Sequence, residues 1–489
     1  MISPCKKVRG RWGRKALALS SMAITMVSLA QARTPTPKPA GRQPMNVLFI
    51  MADDLNAQVG AYGAPVKTPN IDRLARKGVT FDQAYSQFPL CGPSRASMLT
   101  GMRPNTTRVY DLATLARGNL PDVVTLPQYF RHNGYFSGRV GKIYHQGVPG
   151  DIGTSGPDDP QSWDLVVNPR GRDKDAENGR IINMTPNAPL GVAFAYLPDD
   201  GADEEQTDGK VATEAVRMIE AHKGKPFFIA AGFYRPHVPE VAPKKYFDLY
   251  PKSKLGYRPE SPRDIARLVP GSKGIGFFLA KDMTADQQAQ MVQAYRAATS
   301  FMDAQVGRLI KGLEDSGVAN NTIIVFTSDH GYNLGEHGQW EKNTLWTGAT
   351  RVPLIIYSPG AKGNGRVSRK LVELVDLYPT LAELAGLPVP QTLEGHSLKG
   401  LTDDPSDPAW DRSALSQTVG GLSVRYRNWR YTEWQKGNRG VELYDLAKDP
   451  GEYHNLANDP ALAGQIARLK AMLPGDPPRS TAPKIISSE

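Results

Sequence analysis

The stretch Asn46–Ala52, NVLFIMA, is apolar almost without a break and runs directly into Asp53 and Asp54. A strand with one wet face alternates polar with apolar residues, and only a strand covered on both faces can dispense with that alternation. This one predicts a central strand of an α/β sheet. Asn321–Ser328, NTIIVFTS, repeats the design and ends in Asp329, His330 and Gly331. Two buried strands thus deliver acids from their carboxyl ends, which is where open α/β sheets hold their ligands.

Outward from this pair, strand and helix patterns alternate. Thr68–Lys77 has helical spacing, Tyr135–Lys142 reads as a strand and Val211–His222 as a helix. Pro226–Phe233, PFFIAAGF, is a further buried strand, Asp286–Asp315 a long helix and Val352–Tyr357 a strand. The pattern predicts one large α/β domain with helices on both faces, over residues 45–390. After about Leu387 the texture changes. Val424–Trp434, VRYRNWRYTEW, alternates with a period of two and predicts an antiparallel strand, and Ala461–Leu473 predicts a terminal helix, so residues 391–489 read as a smaller α+β subdomain.

The chain has 489 residues, 40% hydrophobic and 22% charged, a balance that excludes a disordered polymer. Its start obeys other rules. Lys6, Lys7, Arg9, Arg11, Arg14 and Lys15 precede the apolar run ALALSSMAITMVSLA, and Ala30-Gln31-Ala32 offers small residues for cleavage, so residues 1–32 read as a secretory signal peptide. A membrane anchor is the alternative, but the run has 15 residues where about 20 are needed to cross a bilayer. The Pro-rich Thr34–Gln43 reads as a linker spanning residues 33–44. The expected destination is the periplasm or the exterior, with no lasting membrane insertion.

The net charge of +10 belongs largely to that leader: six of the 59 basic residues and none of the 49 acids lie in residues 1–32, which leaves +4. So weak an excess, with no basic-aromatic stripe, argues against nucleic acid as a partner. Cys5 departs with the leader, and an exported chain holding Cys91 alone forms no internal disulfide.

Cys91 stands in FPLCGPSRASMLTG, Phe88–Gly101, where Pro93 suits a first helical turn and Arg95 lies four residues on, on the same helix face. A helix N-terminus with a guanidinium suits an oxyanion; the alternative is a half-buried cysteine beside a surface arginine. Asp53, Asp54, Asp329 and His330 offer oxygen ligands and an imidazole, which suits a hard cation such as calcium or magnesium, unless each acid merely caps a following helix or turn. Lys142 and His145 in VGKIYHQG, His237 in FYRPHVPE and Lys342 in GQWEKNT each read alone as solvated or structural residues. As a set with Arg95 and a cation, the two lysines would bind a tetrahedral oxyanion while the histidines move protons. Trp163, Arg170, Arg172 and Trp346 fall in loops that could line a pocket, with packing or surface roles as the alternative.

These residues carry a family resemblance. CGPSRASMLTG, residues 91–101, resembles the type I sulfatase signature, and further sulfatase landmarks follow in order: Asp53-Asp54, Thr68-Pro-Asn-Ile-Asp72, Gly141-Lys142 with His145, Pro236-His237, Ser328-Asp-His-Gly331 and the late Leu443-Tyr-Asp-Leu with Asp449-Pro and Asn455-Leu. RPNTTRVYDL, LPQYFRHNGY, VGKIYHQG, RPHVP and LGEHGQWEKNT are similar to stretches of the iduronate-2-sulfatase-like subgroup. The resemblance implies an alkaline-phosphatase-like sandwich with a mixed, mostly parallel sheet and a smaller C-terminal antiparallel sheet. It implies that a separate maturation enzyme oxidises Cys91 to Cα-formylglycine, whose hydrate attacks the sulfur of a sulfate ester. It also implies Ca2+ held by Asp53, Asp54, Asp329, His330 and residue 91, with Arg95 orienting the formylglycine and Lys142 contacting sulfate. His237 or Lys342 would protonate the leaving alcohol, and His145 would deprotonate the second hydroxyl to eject sulfate. Several relatives carry asparagine where this chain has His330. The implied substrate is a 2-O-sulfated uronate or similar sugar of a glycosaminoglycan or marine polysaccharide. Rivals are a phosphonate or phosphate monoester hydrolase, a choline sulfatase-like enzyme, and a non-catalytic binder of anionic polysaccharide if Cys91 stays unmodified.

Overall fold

The NVLFIMA run lies at the centre of a sheet buried on both sides, as its composition requires. The computed structural model describes residues 44–176, 179–273 and 283–475, with the backbone of 278–279. The leader, most of the linker and the last 14 residues of the C-terminal region lie outside the described residues. The central sheet is built from β1 (Asn46–Ala52), β2 (Val79–Tyr85), β3 (Phe136–Gly141), β4 (Leu165–Val167), β5 (Phe227–Gly232), β6 (Thr322–Ser328), β7 (Arg351–Val352), β8 (Leu354–Tyr357) and β9 (Val367–Glu373). Their order is β7, β2, β8, β6, β1, β5, β3, β4, and β9 pairs with β2. The run from β6 through β1, β5 and β3 to β4 is parallel throughout. Antiparallel pairing enters at β8 and β7, while β9 is parallel to β2.

Alternate side chains of β1 feed two cores. Val47, Phe49 and Met51 pack with Leu126 and Phe130 of helix Leu126–His132 and with Leu377 and Leu381 of helix Leu377–Leu384. Leu48, Ile50 and Ala52 face Ile71 and Leu74 of helix Pro69–Lys77, Val211 and Ala215 of helix Thr207–His222, and Met302 and Val306 of helix Ala285–Asp315. Helices therefore cover both faces, and no β1 side chain is left to water.

The C-terminal region carries a separate four-stranded antiparallel sheet, β10 (Ala414–Thr418), β11 (Gly421–Tyr426), β12 (Trp429–Trp434) and β13 (Val441–Asp445), paired in chain order. The stretch Val424–Trp434 expected as one strand is two. The chain reverses at Arg427 and Asn428, with Arg427 in the left-handed region at φ 53°, so that Tyr426 pairs with Trp429. The alternation continues on both sides of this turn, which is why it conceals it. Val352–Tyr357 is likewise divided, between β7 and β8 on either side of Pro353, a residue with no N–H to give a ladder.

Candidate active site

Strand register brings the site together. Ala52 lies beside Ser328, Met51 beside Gly232, and Gly141 beside Gly232, so the parallel strands end level with one another. Asp53 and Asp54 follow β1, Lys142 and His145 follow β3, His237 follows β5, and Asp329 and His330 follow β6. Two glycines permit the close approach at this edge. A Cβ on Gly232 would fall 1.9 Å from the Lys142 carbonyl oxygen, and Gly141, at φ 74°, would place one 2.2 Å from the Gly232 carbonyl oxygen.

Cys91 opens the helix Cys91–Thr100, whose residues are all buried. The Ser94 amide donates to the Leu90 carbonyl at 3.0 Å, and Gly101 closes the helix at φ 66°. One turn inside, Arg95 is fully engaged. It donates to Asp329 Oδ2 at 2.9 Å, to Asp53 Oδ1 at 2.7 Å, and to the carbonyls of Lys142 and Ile143 at 2.9 Å each. The guanidinium thus ties the helix Cys91–Thr100 to the ends of β1, β3 and β6. The Lys142 ammonium lies 2.7 Å from Asp53 Oδ2, an ion pair whose angles do not make a hydrogen bond. Burial alone would raise the Asp53 carboxyl, but Lys142 and then Arg95 outweigh it and hold the group well below the usual carboxylate range.

Asp54 sits in the left-handed region at φ 65°, held by its amide on Asp329 Oδ1 and by the Tyr295 hydroxyl on its carbonyl. Both its carboxylate oxygens accept from Lys342 Nζ at 2.8 Å. The Cys91 thiol, 1% exposed, is 3.2 Å from His330 Nε2, 3.4 Å from Lys342 Nζ and 3.7 Å from Asp54 Oδ1. Burial pushes this thiol well above its ordinary range against the pull of Lys342, so it is a thiol, not a thiolate nucleophile.

Backbone acceptors set the histidine tautomers. His330 Nδ1 is 2.8 Å from the Gly331 carbonyl and His237 Nδ1 2.6 Å from the Val238 carbonyl, and a carbonyl can only accept. Each Nδ1 therefore carries a proton, which leaves Nε2 as the inward-facing nitrogen of each ring. His237 Nε2 lies 3.8 Å from Asp54 Oδ2. Burial, reinforced by Lys342, holds His237 well below the usual histidine range; burial and then Lys142 do the same for His145. His145 Nδ1 is buried and meets no partner among the described residues.

Asp54, Cys91, Asp329 and His330 each bring one ligand atom within 4.8 Å of the others, and Asp53, Asp54 and His237 form an overlapping group on the same terms. Two carboxylates and an imidazole Nε2 converging around the residue 91 side chain fit a divalent cation.

Every residue singled out in the sequence for chemistry comes to this one edge. The four loop residues weighed as pocket linings do not join them. Trp346 stacks on His337 with ring centroids 3.7 Å apart, Trp163 packs edge-on against Tyr144, and Arg170 and Arg172 pair with Asp175 and Asp199. Two supporting residues escaped sequence reasoning. Tyr295, in the middle of a long helix, bridges the Asp54 carbonyl and the Asn56 amide; Ser328 accepts from the Leu55 amide and donates to the His330 carbonyl. Ser328 stood in the landmark Ser328-Asp-His-Gly331 with no task of its own, and Tyr295 gave no signal within its helix.

Comparison with known proteins adds the following. Residues 45–387 match the family described as Sulfatase, and residues 335–475 match N-sulphoglucosamine sulphohydrolase, C-terminal. The iduronate 2-sulfatase of Homo sapiens is 35% identical over 539 residues, covering 91% of this chain and 95% of that protein. Among solved structures, the phosphonate monoester hydrolase of Silicibacter pomeroyi superposes with a TM-score of 0.72 at 24% identity, covering 87% of this chain and 94% of that one. A 2-O GAG sulfatase superposes with a TM-score of 0.66 at 25% identity, covering 88% and 91%.

Proposed function

This chain belongs to the sulfatase family and is a sulfuric ester hydrolase, and from that premise we propose that it removes sulfate from a sulfated carbohydrate, with Cys91 oxidised to formylglycine as its working form. The observation that supports this best is the environment of residue 91. Its side chain stands at a helix N-terminus between Lys342 Nζ, His330 Nε2 and Asp54, within reach of the charge of the buried Lys142 ammonium. Two buried ammonium groups at a helix N-terminus are what an incoming sulfate would meet.

Converted to formylglycine, residue 91 supplies as its hydrate an attacking oxygen and a second hydroxyl whose deprotonation releases sulfate. Asp53, Asp54, Asp329 and His330 would hold calcium, which polarises sulfate and offsets its charge. Arg95, engaged by two aspartates and two carbonyls, fixes these ligands relative to the helix Cys91–Thr100. Lys142 meets the sulfate oxygens. His145, neutral and unpaired, is the base for the second hydroxyl. Of the two candidates for the leaving-group acid, Lys342 is favoured: its ammonium carries protons toward residue 91, whereas the proton of neutral His237 is committed to the Val238 carbonyl and its inward nitrogen can only accept.

The likeness to iduronate 2-sulfatase points to a 2-O-sulfated uronate or a similar sugar as substrate. In this reading residues 1–32 direct export to the periplasm or exterior, 33–44 form a linker, 45–390 carry catalysis and 391–489 form the C-terminal subdomain. The test is peptide mass spectrometry across Ala84–Arg95 of natively matured protein, with assays on a 2-O-sulfated uronate disaccharide and on aryl phosphate. A lighter, aldehyde-reactive residue 91 with sulfate release is expected. Unmodified Cys91 in active protein would sink the mechanism, and preference for the phosphoester would transfer the chain to the phosphonate monoester hydrolase chemistry of its structural neighbour.

A further inference from the structure

Two acids that this reaction leaves without a task sit beside it. Glu240 opens the strand Glu240–Pro243 and Glu341 ends the strand Gln339–Glu341, and both are fully buried at 0% exposure. None of their four carboxylate oxygens has a hydrogen-bond partner among the described residues. The cations nearby are committed elsewhere. Arg235 spends Nε on the Val241 carbonyl, Nη1 on the His237 carbonyl and Nη2 on Asp173, while Lys342 lies on both oxygens of Asp54.

Neutral oxygens join the pair. Asn333 is the cross-strand partner of Glu341; its Nδ2 donates to the Glu341 carbonyl and to Thr344 Oγ1, which leaves the buried Oδ1 without a donor. The Tyr332 hydroxyl is also buried and without a partner, its ring stacked on Tyr295 with centroids 5.2 Å apart. The Tyr332 ring belongs to one packed cluster with Val238 and Ala242, which flank Glu240, and with Trp340, which precedes Glu341. A buried carboxylate with neither donor nor counter-ion costs several kcal/mol, on the order of the price of leaving an ion pair half made. Two of them must be neutralised by protons or by a cation. Carboxylates, an amide oxygen and a phenol are an all-oxygen set, which suits a hard cation.

We propose that Glu240, Glu341, Asn333 and Tyr332 form a second cation site, for calcium or an ion of similar hardness, distinct from the ligands around Cys91. Its role follows from the chain beside it. Glu341 and Asn343 both lie in the left-handed region, at φ 66° and 65°, and Lys342 stands between them. Non-glycine residues keep that conformation only where surroundings impose it. A cation on Glu341 braces this turn and so holds the Lys342 ammonium on Asp54 and residue 91.

The test is long-wavelength anomalous diffraction from crystals of the mature protein in calcium, with elemental analysis of the dialysed protein in solution. An anomalous peak bounded by Glu240 and Glu341 is expected, and two calcium ions per chain, falling to one in the Glu240→Gln/Glu341→Gln variant. A single peak at Asp54, Asp329 and His330 would overturn this second site and make the two acids a proton-sharing pair, leaving the proposed catalytic metal standing. A single peak at the glutamates would do the reverse, and no peak at either position would overturn both.

Discussion

At the position of the leaving group the deciding residue is Lys342. If it is the acid, its loss matters in proportion to how badly the departing oxygen needs a proton. Lys342→Ala is expected to lower kcat roughly 100- to 10,000-fold on a sugar sulfate, and far less on an aryl sulfate whose phenolate leaves unaided. Equal losses on both substrates would assign the lysine to binding instead. A second residue, Asp208, shows how burial reaches this region. Its carboxylate accepts from the amides of Tyr234 and Arg235, just before His237, and burial, against the pull of Arg235, raises it to about 7 from an ordinary 3.8. The folded protein therefore holds a proton that the unfolded chain has lost. Its stabilising contribution is complete below 3.8 and declines as pH climbs to about 7, at about 1.4 kcal/mol per pH unit. Asp208→Asn should flatten the thermal stability profile across that window. The acids and bases of the site were legible in the sequence because they punctuate strand ends at fixed spacings. Glu240 and Glu341 were not, because a lone acid in a sequence reads as solvated until burial is known.

The strand ends, taken as elements, place these groups to within a fraction of a residue. Gly232 lets β5 meet the chain leaving β3, and a methyl there would collide with the Lys142 carbonyl that Arg95 also grips. Gly232→Ala should therefore displace Lys142 and lower kcat/KM on the order of a hundredfold, as an ångström of misplacement commonly does. Near-normal kinetics would show that the edge can relax. The central strands β1, β5 and β6 were readable because burial on both faces leaves an uninterrupted apolar run. Strands β2 and β9, VTFDQAY and VSRKLVE, mix in polar and charged residues and gave no such signal. The β11–β12 hairpin was misread as one strand because its turn, Arg427-Asn428, contains neither glycine nor proline, and the slip of the apolar period there, from Val424 and Tyr426 to Trp429 and Tyr431, is a single position.

For the molecule as a whole, the C-terminal sheet holds the two approaches to residue 91 together. From β10, the Ser416 hydroxyl donates to the Ser86 carbonyl and the Gln417 amide to the Gln87 carbonyl, on the segment leading to Cys91; Thr418 donates to Asn343, next to Lys342. Farther on, Glu452 takes the Thr347 amide at 3.1 Å and pairs with Arg425 and Arg430, while Arg430 donates to the Leu345 carbonyl and covers the Trp346 ring. Glu452→Gln strands two buried guanidinium groups, so a stability loss of roughly 3–5 kcal/mol is expected by denaturant titration. A change near zero would mean that water replaces the carboxylate. No sequence pattern foretold this brace, since a carboxylate that pairs with arginines 27 and 22 positions before it and takes an amide 105 positions before it has no local signature.

The brace also orders events in time. The bonds that fix the segment leading to Cys91 and the turn beside Lys342 reach residues 416–418, which leave the ribosome some 325 positions after Cys91. In the folded chain the Cys91 side chain is 1% exposed, so an enzyme that oxidises it, as the proposed function requires, would have to reach it before these residues dock. In the proposed maturation, oxidation of Cys91 is then a race between synthesis and closure, and chains that fold first keep an unmodified thiol. Slowing the docking of the last sheet should raise the fraction of active enzyme in a preparation, even though it weakens each molecule.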